Sequence, residues 1–224
     1  MASIVQSIHA EAASGSTSQT VTLPQALRAG STVVVLAGFG RNGNPNIDSV
    51  VNNGTGNTYT AILNARGENL TANPKMCTDI FYCDNVNGGA TTITATWNGT
   101  AATRTFVGVI EFLNSITPSA DSAGNSVGTT TPATGGSVVA DLSDTLLLSC
   151  IITATGTVSS VASPWTSLAG SGSYMTATYN APPPGTYAPT YTLSGNVRWA
   201  SSTAEMHLTS ADQGGSNMLL TRVN

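Results

Sequence analysis

The chain has only two histidines, His9 and His207, for acid–base chemistry. A catalytic triad, a histidine-containing metal cluster or a general-base pair would have to use one of them. His207 lies two residues after Glu205 in a segment with the composition of a strand, so the two side chains share a face and could act as a base and its orienting carboxylate. The simpler interpretation is that both lie on a solvated sheet face. We therefore expect no catalytic residue and no enzymatic activity.

Glu111 interrupts the otherwise apolar run FVGVIEFL of residues 106–113. A carboxylate in a buried strand is costly unless it is paired or hydrogen-bonded, and Arg104 or another arginine could supply the partner. The functional alternative is a ligand-binding or catalytic acid with a raised pKa. Because no second acid stands at a fixed spacing, as a glycosidase would require, the structural role is favoured.

Four oxygen-bearing side chains crowd two predicted turns and could bind Ca²⁺, namely Asp48, Asn52, Asn53 and Asn57. Their spacing does not match the calcium-loop pattern D-x-[DN]-x-[DN]-G. Asx turns, in which such side chains accept hydrogen bonds from the nearby backbone, are the simpler interpretation. We expect neither a metal ion nor a cofactor.

Aromatic rings are the remaining candidates for ligand contact, because rings on a charge-poor sheet could stack on sugars. Trp97 alternates with Ile93 and Ala95, which places it among core-facing residues, and core packing is the general expectation for these rings. The rings concerned are Trp97, Trp165, Trp199, Tyr59, Tyr82, Tyr174, Tyr179, Tyr187 and Tyr191.

The composition excludes one class of partner. Only 8% of the 224 residues are charged, against about 25% in ordinary globular proteins. The formal net charge is −4, and Lys75 is the single lysine among seven basic residues. Nucleic-acid binding needs cations gathered on one face, so nucleic acid is not expected as a partner.

Targeting signals and disulfides are not expected either. Residues 1–19 have no basic n-region and no apolar h-region, and no apolar run approaches the roughly 18 residues of a membrane span. The three cysteines are an odd number with no close pair, and Cys77 and Cys83 lie on one face of a predicted strand about 20 Å apart. We therefore expect a protein that is made in the cytoplasm and does not enter a membrane.

The elements that must position these residues are strands. Runs rich in β-branched and aromatic residues, bounded by Gly, Asn and Pro, recur along the chain, and no segment sustains the apolar spacing of an amphipathic helix. The fold class predicted is all-β, an antiparallel β-sandwich that is jelly-roll-like. The predicted strands are Ser31–Phe39, Asn57–Leu63, Lys75–Cys83, Ala90–Trp97, Arg104–Leu113, Thr145–Ala154, Tyr174–Tyr179, Thr186–Leu193 and Val197–Leu208.

Turn residues separate the predicted strands. Asn87-Gly88-Gly89, within FYCDNVNGGATTITATWNG, tolerates positive φ, so the flanking strands are predicted to reverse and pair as a hairpin. Residues 53–57 (NGTGN) are predicted to turn in the same way. A phosphate-binding role for these glycines is disfavoured, since neither group opens a helix.

The two halves of the chain resemble each other. TVVVL from Thr32 matches TLLLS from Thr145, and FYCDNVNGGATTITATWNG matches TYNAPPPGTYAPTYTLSGN; RTFV from Arg104 matches RWAS from Arg198. We therefore expect one pseudo-duplicated domain over residues 1–224, with strand series at about 1–114 and 137–224, and two small sandwiches as the alternative. Residues 115–136, rich in Ser, Thr, Gly and Pro, are a possible linker, although Ala120–Val127 is a candidate edge strand.

Two loops are the candidate interaction sites. The triproline segment Pro182, Pro183 and Pro184 is stiff, and sandwiches place recognition on their end loops. The second candidate is the loop containing Asn42, Asn44 and Pro45. The terminal segments Ser3–Ala12 and Met218–Val223 are β-competent and could pair with a neighbouring chain or close the chain's own sheet.

A family resemblance follows from the order of motifs between Gly30 and Leu208. The succession TVVVLAGFG, NNGTGNTYT, FYCDNVNGGATTITATW, FVGVIEF, SPWTSLAGSGSY, APPPGTYAPTYTLSG and WASSTAEMHL resembles a β-sandwich module of tailed-bacteriophage virion proteins and of bacterial surface proteins. These are turn and core motifs, so they are specific for the fold and weak for function.

The resemblance implies a non-enzymatic display, decoration or recognition role. Since the sequence begins at Met1 without a signal, the expectation is a virion protein made in the host cytoplasm, at a capsid-decoration, spike or tail-attachment position. Its expected partners are other virion proteins or further copies of itself, with a host-surface glycan as a further possibility. The alternative is an extracellular carbohydrate-binding or adhesive module of a bacterial surface protein.

Overall fold

The structure is a computed structural model, which describes residues 3–12, 15–71, 73–101, 104–113, 116–141, 145–170 and 172–208. Within these ranges the chain forms strands, turns and bends, and no helix long and apolar enough to cross a membrane occurs there. The predicted all-β class is confirmed. The predicted C-terminal strand Met218–Val223 lies outside the described residues.

The strands fall into two series along the chain. The first series comprises β1 Ile4–Ala12, β2 Ser18–Thr22, β3 Thr32–Arg41, β4 Ile47–Asn52, β5 Thr60–Ala61, β6 Gly67–Asn69, β7 Lys75–Cys83, β8 Thr92–Trp97 and β9 Thr105–Phe112. The second comprises β10 Ile116–Gly128, β11 Ala133–Thr134, β12 Val138–Ala140, β13 Thr145–Thr153, β14 Val158–Val161, β15 Thr166–Ala169, β16 Tyr174–Asn180, β17 Gly185–Tyr187, β18 Thr190–Leu193 and β19 Trp199–Leu208.

The first series folds into two antiparallel sheets. The larger sheet has the order β1-β9-β3-β7-β5, with β6 also paired to β7, and the smaller has the order β2-β8-β4. The first strand lies beside the last, and the chain alternates between the sheets, which makes the winding jelly-roll-like. The core between these sheets contains Val33, Phe39, Cys77 and Trp97, and we call it the first core.

The second series repeats that order. Its larger sheet runs β10-β19-β13-β16-β15, so each strand takes the place of its counterpart in the first series. The smaller layer is divided into β11-β18-β14 and β12-β17. The core beneath it, the third core, contains Leu147, Trp165, Tyr191 and Trp199. The pseudo-duplication expected from the sequence is confirmed by this matching strand order.

The two larger sheets pack face to face and enclose a central core. Leu36 and Phe106 of the first series lie there with Leu148 and Tyr174 of the second, all fully buried. The rings of Phe106 and Tyr174 stack with centroids 4.7 Å apart and planes 11° from parallel. A polar contact, Thr78 Oγ1 to Ser202 Oγ at 2.7 Å, also crosses the interface. The result is a stack of four β layers with three cores between them.

Non-alternating strands require this stack. In β3 the first nine residues, from Thr32 to Gly40, are buried, and all nine residues of β13 are buried. Strands that are apolar on both faces need cover on both sides. By contrast, β8 alternates between half-buried and buried residues, as expected for a strand in an outer layer of the stack, where one face of the sheet is solvated.

Several sequence predictions are corrected. The predicted hairpin around Asn87-Gly88-Gly89 is wrong, because β7 belongs to the larger sheet and β8 to the smaller one. The glycines do adopt positive φ, at 74° and 79°, but the turn crosses from one sheet to the other over the first core. Val86 and Ala90 on either side of it are buried in that core. The segment 57–63 contributes only the two residues of β5.

The predicted linker, residues 115–136, does not separate the two series. It contains β10, which spans the predicted edge strand Ala120–Val127 and forms one edge of its sheet against β19. The N-terminal strand β1 pairs with β9 and so closes the chain's own sheet. Whether the four layers unfold as one domain is a question of cooperativity, so the single-domain interpretation stays a prediction.

Truncation of Phe106 tests that cooperativity. Phe106→Ala removes a stacked ring from the central core, and we expect it to lower the free energy of unfolding by about 3–5 kcal/mol. Urea unfolding should be followed by Trp fluorescence in two backgrounds. In Trp97→Phe the remaining tryptophans report the second series, and in Trp165→Phe/Trp199→Phe the remaining Trp97 reports the first. Because the central core joins both series, each probe should show the same loss.

The matched control is Leu63→Ala, whose side chain is 75% exposed and should change stability by less than about 0.5 kcal/mol. Two separate transitions, with Phe106→Ala affecting only one, would contradict a shared core.

Candidate functional site

Two buried glutamates occupy the same place in the two series. Glu111 on β9 and Glu205 on β19 are 205 − 111 = 94 residues apart, the same offset that separates Arg104 from Arg198, and both side chains are fully buried. Glu111 Oε1 accepts the backbone N–H of Arg28 at 2.7 Å, and Glu205 Oε1 accepts that of Asp141 at 3.2 Å. Each carboxylate therefore holds the segment that leads into the central strand of its sheet.

Glu111 has a complete set of partners. Its Oε1 also accepts from Ser31 Oγ at 2.7 Å, and its Oε2 accepts from Gln6 Nε2 at 2.6 Å. Gln6 in turn bonds the backbone of Gln25. The predicted arginine partner is wrong: Arg104 precedes β9 and stands seven residues from Glu111, about 23 Å along a strand. A carboxylate that is buried and saturated in this way is structural.

Glu205 is held less completely. Its Oε2 lies 3.3 Å from His207 Nε2, and Asp141 Oδ1 lies 3.1 Å from the same nitrogen. Neither contact has hydrogen-bond geometry, and both Glu205 Oε2 and His207 Nε2 are buried without a hydrogen-bond partner among the described residues. We call Asp141, Glu205 and His207 the His207 cluster.

The environment of the His207 cluster corrects one expectation. Glu205 and His207 were expected on a solvated face, but the Glu205 side chain has no exposed surface, His207 is 25% exposed and Asp141 is 58% exposed. Sequence reasoning paired Glu205 with His207 and missed Asp141. The repeat contained the missing signal, since Asp141 is the counterpart of Arg28, which precedes β3.

The loop from Asn42 to Asn46 is polar and tied down. Asn42 and Asn44 are exposed, but Pro45 is buried and cannot meet a partner. Asn44 Oδ1 accepts from Lys75 Nζ at 2.8 Å, and Asn98 Nδ2 donates to Asn44 O at 3.0 Å. The loop therefore has a fixed shape with two asparagine side chains available for contact.

The triproline loop is also fixed. Pro183 and Pro184 are exposed, whereas Pro182 is buried, so Pro182 is not an interaction residue. Tyr187 Oη donates to Pro183 O at 2.7 Å, and Ala181 N donates to Thr145 O at 2.9 Å.

The two candidate loops do not form one surface. The first follows the end of β3, whereas the triproline loop lies beside the start of β13. The starts of β3 and β13 share one end of the stack, because Ile116 N donates to Thr32 Oγ1 at 3.1 Å and Ile116 pairs with Leu208, next to the Thr145–His207 pair. The triproline loop and the His207 cluster thus lie at this end, and Asn42 and Asn44 lie at the opposite end.

The predicted calcium ligands are used as hydrogen-bond acceptors. Asn52 Oδ1 accepts from Gly54 N at 2.9 Å, which is the predicted Asx turn. Asn53 Oδ1 accepts from the backbone of residues 91 and 92, Asn57 Oδ1 from Asn87 N, and Asp48 Oδ1 from Asn46 Nδ2. These contacts organise turns around β4 and the β7–β8 connection.

Aromatic rings serve packing rather than an open platform. All three tryptophans are buried, and Trp97 stacks on Phe39 with centroids 5.2 Å apart. Tyr174 and Tyr191 are fully buried, and the other four tyrosines are half-buried. Every Trp and Tyr of the chain lies within the described residues. The core-packing prediction is confirmed for the three tryptophans and for Tyr174 and Tyr191.

Asp79 is a buried acid that sequence reasoning missed. It lies on β7 between Cys77 and Phe81 on the face toward the first core, and it is 3% exposed. Burial raises the pKa of its carboxyl from 3.8 to about 6, against the opposing effects of the Ile80 N–H bond and the Arg66 charge. The signal in the sequence was an acid in the middle of the strand KMCTDIFYC, with Cys77 and Phe81 on the same face.

No family model, curated protein or solved structure matches this chain. The resemblance to phage virion and bacterial surface modules therefore stays a prediction from the motifs, and function must be argued from the chain's own geometry.

Replacement of Glu111 tests its structural role. Glu111→Gln turns one acceptor into a donor that faces Gln6 Nε2 or the Ser31 and Arg28 donors, and a buried mismatched polar group costs about 1–3 kcal/mol. We expect that loss in urea unfolding at pH 7. The matched control is Glu11→Gln, an exposed position on β1, which should change stability by less than about 0.5 kcal/mol. An equal, small effect of both substitutions would show that the Glu111 contacts are dispensable.

Replacement of Asp79 should stabilise the protein in a pH-dependent way. Its folded-state pKa of about 6 lies above the ordinary 3.8, so the folded chain binds this proton more tightly and the stability contribution of Asp79 falls as pH rises through this window. Two pKa units correspond to about 3 kcal/mol. We expect Asp79→Asn to gain up to about 3 kcal/mol over wild type at pH 7 and little at pH 4.

Urea titrations at both pH values measure this difference, with the exposed Asp48→Asn as control. A gain that is the same at pH 4 and pH 7 would contradict a buried carboxyl that ionises at a cost.

Proposed function

We propose that this chain is a non-enzymatic structural and interaction protein of a bacteriophage virion, at a capsid-decoration, spike or tail-attachment position. The observation that supports it best is the four-layer stack itself, in which three cores hold the end loops in fixed positions. A module that displays a surface needs such rigidity, since ordered loops lose little entropy when they bind.

The distribution of acids supports a structural rather than a hydrolytic role. Glu111 is saturated by hydrogen bonds, and Glu205 has no exposed surface, so neither carboxylate can reach a substrate. His207 is 25% exposed, and the groups beside it are two carboxylates rather than a nucleophile. Acid–base hydrolysis would need one of these acids in contact with substrate.

The alternative of a carbohydrate-binding module has less support. Sugar recognition of the stacking type needs exposed ring faces, and every tryptophan of this chain is buried. The exposed groups on the two candidate loops are Asn42, Asn44, Pro183 and Pro184, which suit protein contact at the two ends of the stack. We therefore place other virion proteins, or further copies of this chain, before a glycan as partners.

Self-association is part of the proposal, because repeated weak contacts give display proteins their avidity. We expect a closed oligomer, a trimer or larger, in size-exclusion chromatography with multi-angle light scattering. We also expect quantitative mass spectrometry of purified phage particles to find the chain at a fixed copy number per particle.

The control is a glycan array, followed by titration of any bound glycan with Trp fluorescence as the signal. We expect no glycan to bind. A clean monomer that does not copurify with particles and binds a defined glycan would overturn the proposal in favour of the carbohydrate-binding alternative.

A further inference from the structure

Three donor atoms of the His207 cluster converge on one point. One ligand atom from each of Asp141, Glu205 and His207 lies within 4.8 Å of the other two. Asp141 Oδ1 and Glu205 Oε2 lie 3.1 and 3.3 Å from His207 Nε2. A metal ion bound at about 2.0–2.2 Å to each of its ligands holds neighbouring donor atoms about 2.8–3.6 Å apart in octahedral or tetrahedral geometry. The two distances to the imidazole nitrogen fall within this range.

A second observation comes from hydrogen bonding. Glu205 Oε2 and His207 Nε2 are buried, and neither has a hydrogen-bond partner among the described residues. A buried carboxylate oxygen without a hydrogen-bond partner destabilises the folded state, and native structures rarely leave one. The Glu205 side chain has no exposed surface, so bulk water does not satisfy it.

The other half of the repeat provides the comparison. There, Gln6 donates to the second carboxylate oxygen of Glu111 at 2.6 Å, and no oxygen of that carboxylate is left over. The position that corresponds to His207 is 207 − 94 = 113, a half-exposed leucine. The second series therefore differs at the point where a partner for the carboxylate is needed, and it has a histidine there.

We propose that Asp141, Glu205 and His207 form a binding site for one divalent transition-metal ion, with Zn²⁺ as its representative. An imidazole with two carboxylates suits Zn²⁺ and its first-row neighbours better than Ca²⁺ or Mg²⁺, which prefer oxygen ligands alone. The hydrogen bond from Asp141 N to Glu205 Oε1 orients the carboxylate, as outer contacts do at metal sites. Asp141 is 58% exposed, so the site opens to solvent on one side, where water completes the coordination.

The ion would bind the segment that precedes β13, through Asp141, and strand β19, through Glu205 and His207, and so hold the two together. This is the role that Gln6, Ser31 and the Arg28 backbone perform around Glu111 in the first series. The site is independent of the virion assignment, because its three ligands all belong to one chain and no partner contributes to it.

The experiment is a calorimetric titration of ZnCl₂ into the untagged, chelator-treated full chain, with wild type, His207→Ala, Asp141→Asn and His9→Gln compared. We expect one ion per chain in wild type and in His9→Gln. Loss of a direct ligand should weaken binding at least about 100-fold, since even outer-contact changes cost about 10- to 100-fold. Asp141 is largely exposed, so Asp141→Asn keeps the test valid if His207→Ala does not fold.

Imidazole ¹⁵N NMR gives a second readout, because the chain has only two histidines. Zinc should shift the ring nitrogens of His207 and leave those of His9 unchanged. The proposal is overturned if wild type binds no zinc, if Asp141→Asn and His207→Ala bind it as wild type does, or if only His9 responds.

Discussion

Two strands that are apolar on both faces determine the architecture. β3 and β13 lie at the centre of their sheets and are buried along almost their whole length, so each sheet must be covered on both sides. A smaller sheet covers one side, and the larger sheet of the other series covers the second. A single sandwich of either series would leave the face that contains Leu36 and Phe106, or Leu148 and Tyr174, in water.

The remaining features follow from that arrangement. The two larger sheets approach closely enough that a side chain at Gly67 would overlap the carbonyl of Ser201, so glycine is required there. The central strands need their starting points fixed, and a buried glutamate on the neighbouring strand does this in each series. The groups capable of chemistry or contact therefore collect at the ends of the stack, where the strands begin and end.

The sequence predicts the strand content, the repeat and the core position of Trp97, because each depends on local pattern. The strand Lys75–Cys83 was predicted with its observed bounds. By contrast, β2 (SQTVT) and β4 (IDSVVN) were missed, because the alternation of apolar and polar residues in them is weak. The hairpin at Asn87-Gly88-Gly89 was predicted wrongly because turn residues specify a reversal but not which sheet the next strand joins. Asp141 was missed since its contact with Glu205 and His207 joins distant segments, while burial of Pro45 and Pro182 depends on packing that no loop sequence shows.

Native-state hydrogen exchange measured by NMR tests the shared central core most directly. If β3 and β13 are both protected by the central core, the slowest amides of both strands should exchange with the same free energy, equal to that of global unfolding. Phe106→Ala should lower both values together. Exchange of β13 with a free energy well below that of β3, or a response of β3 alone to the substitution, would show that the two series are separately stable sandwiches and would contradict the account.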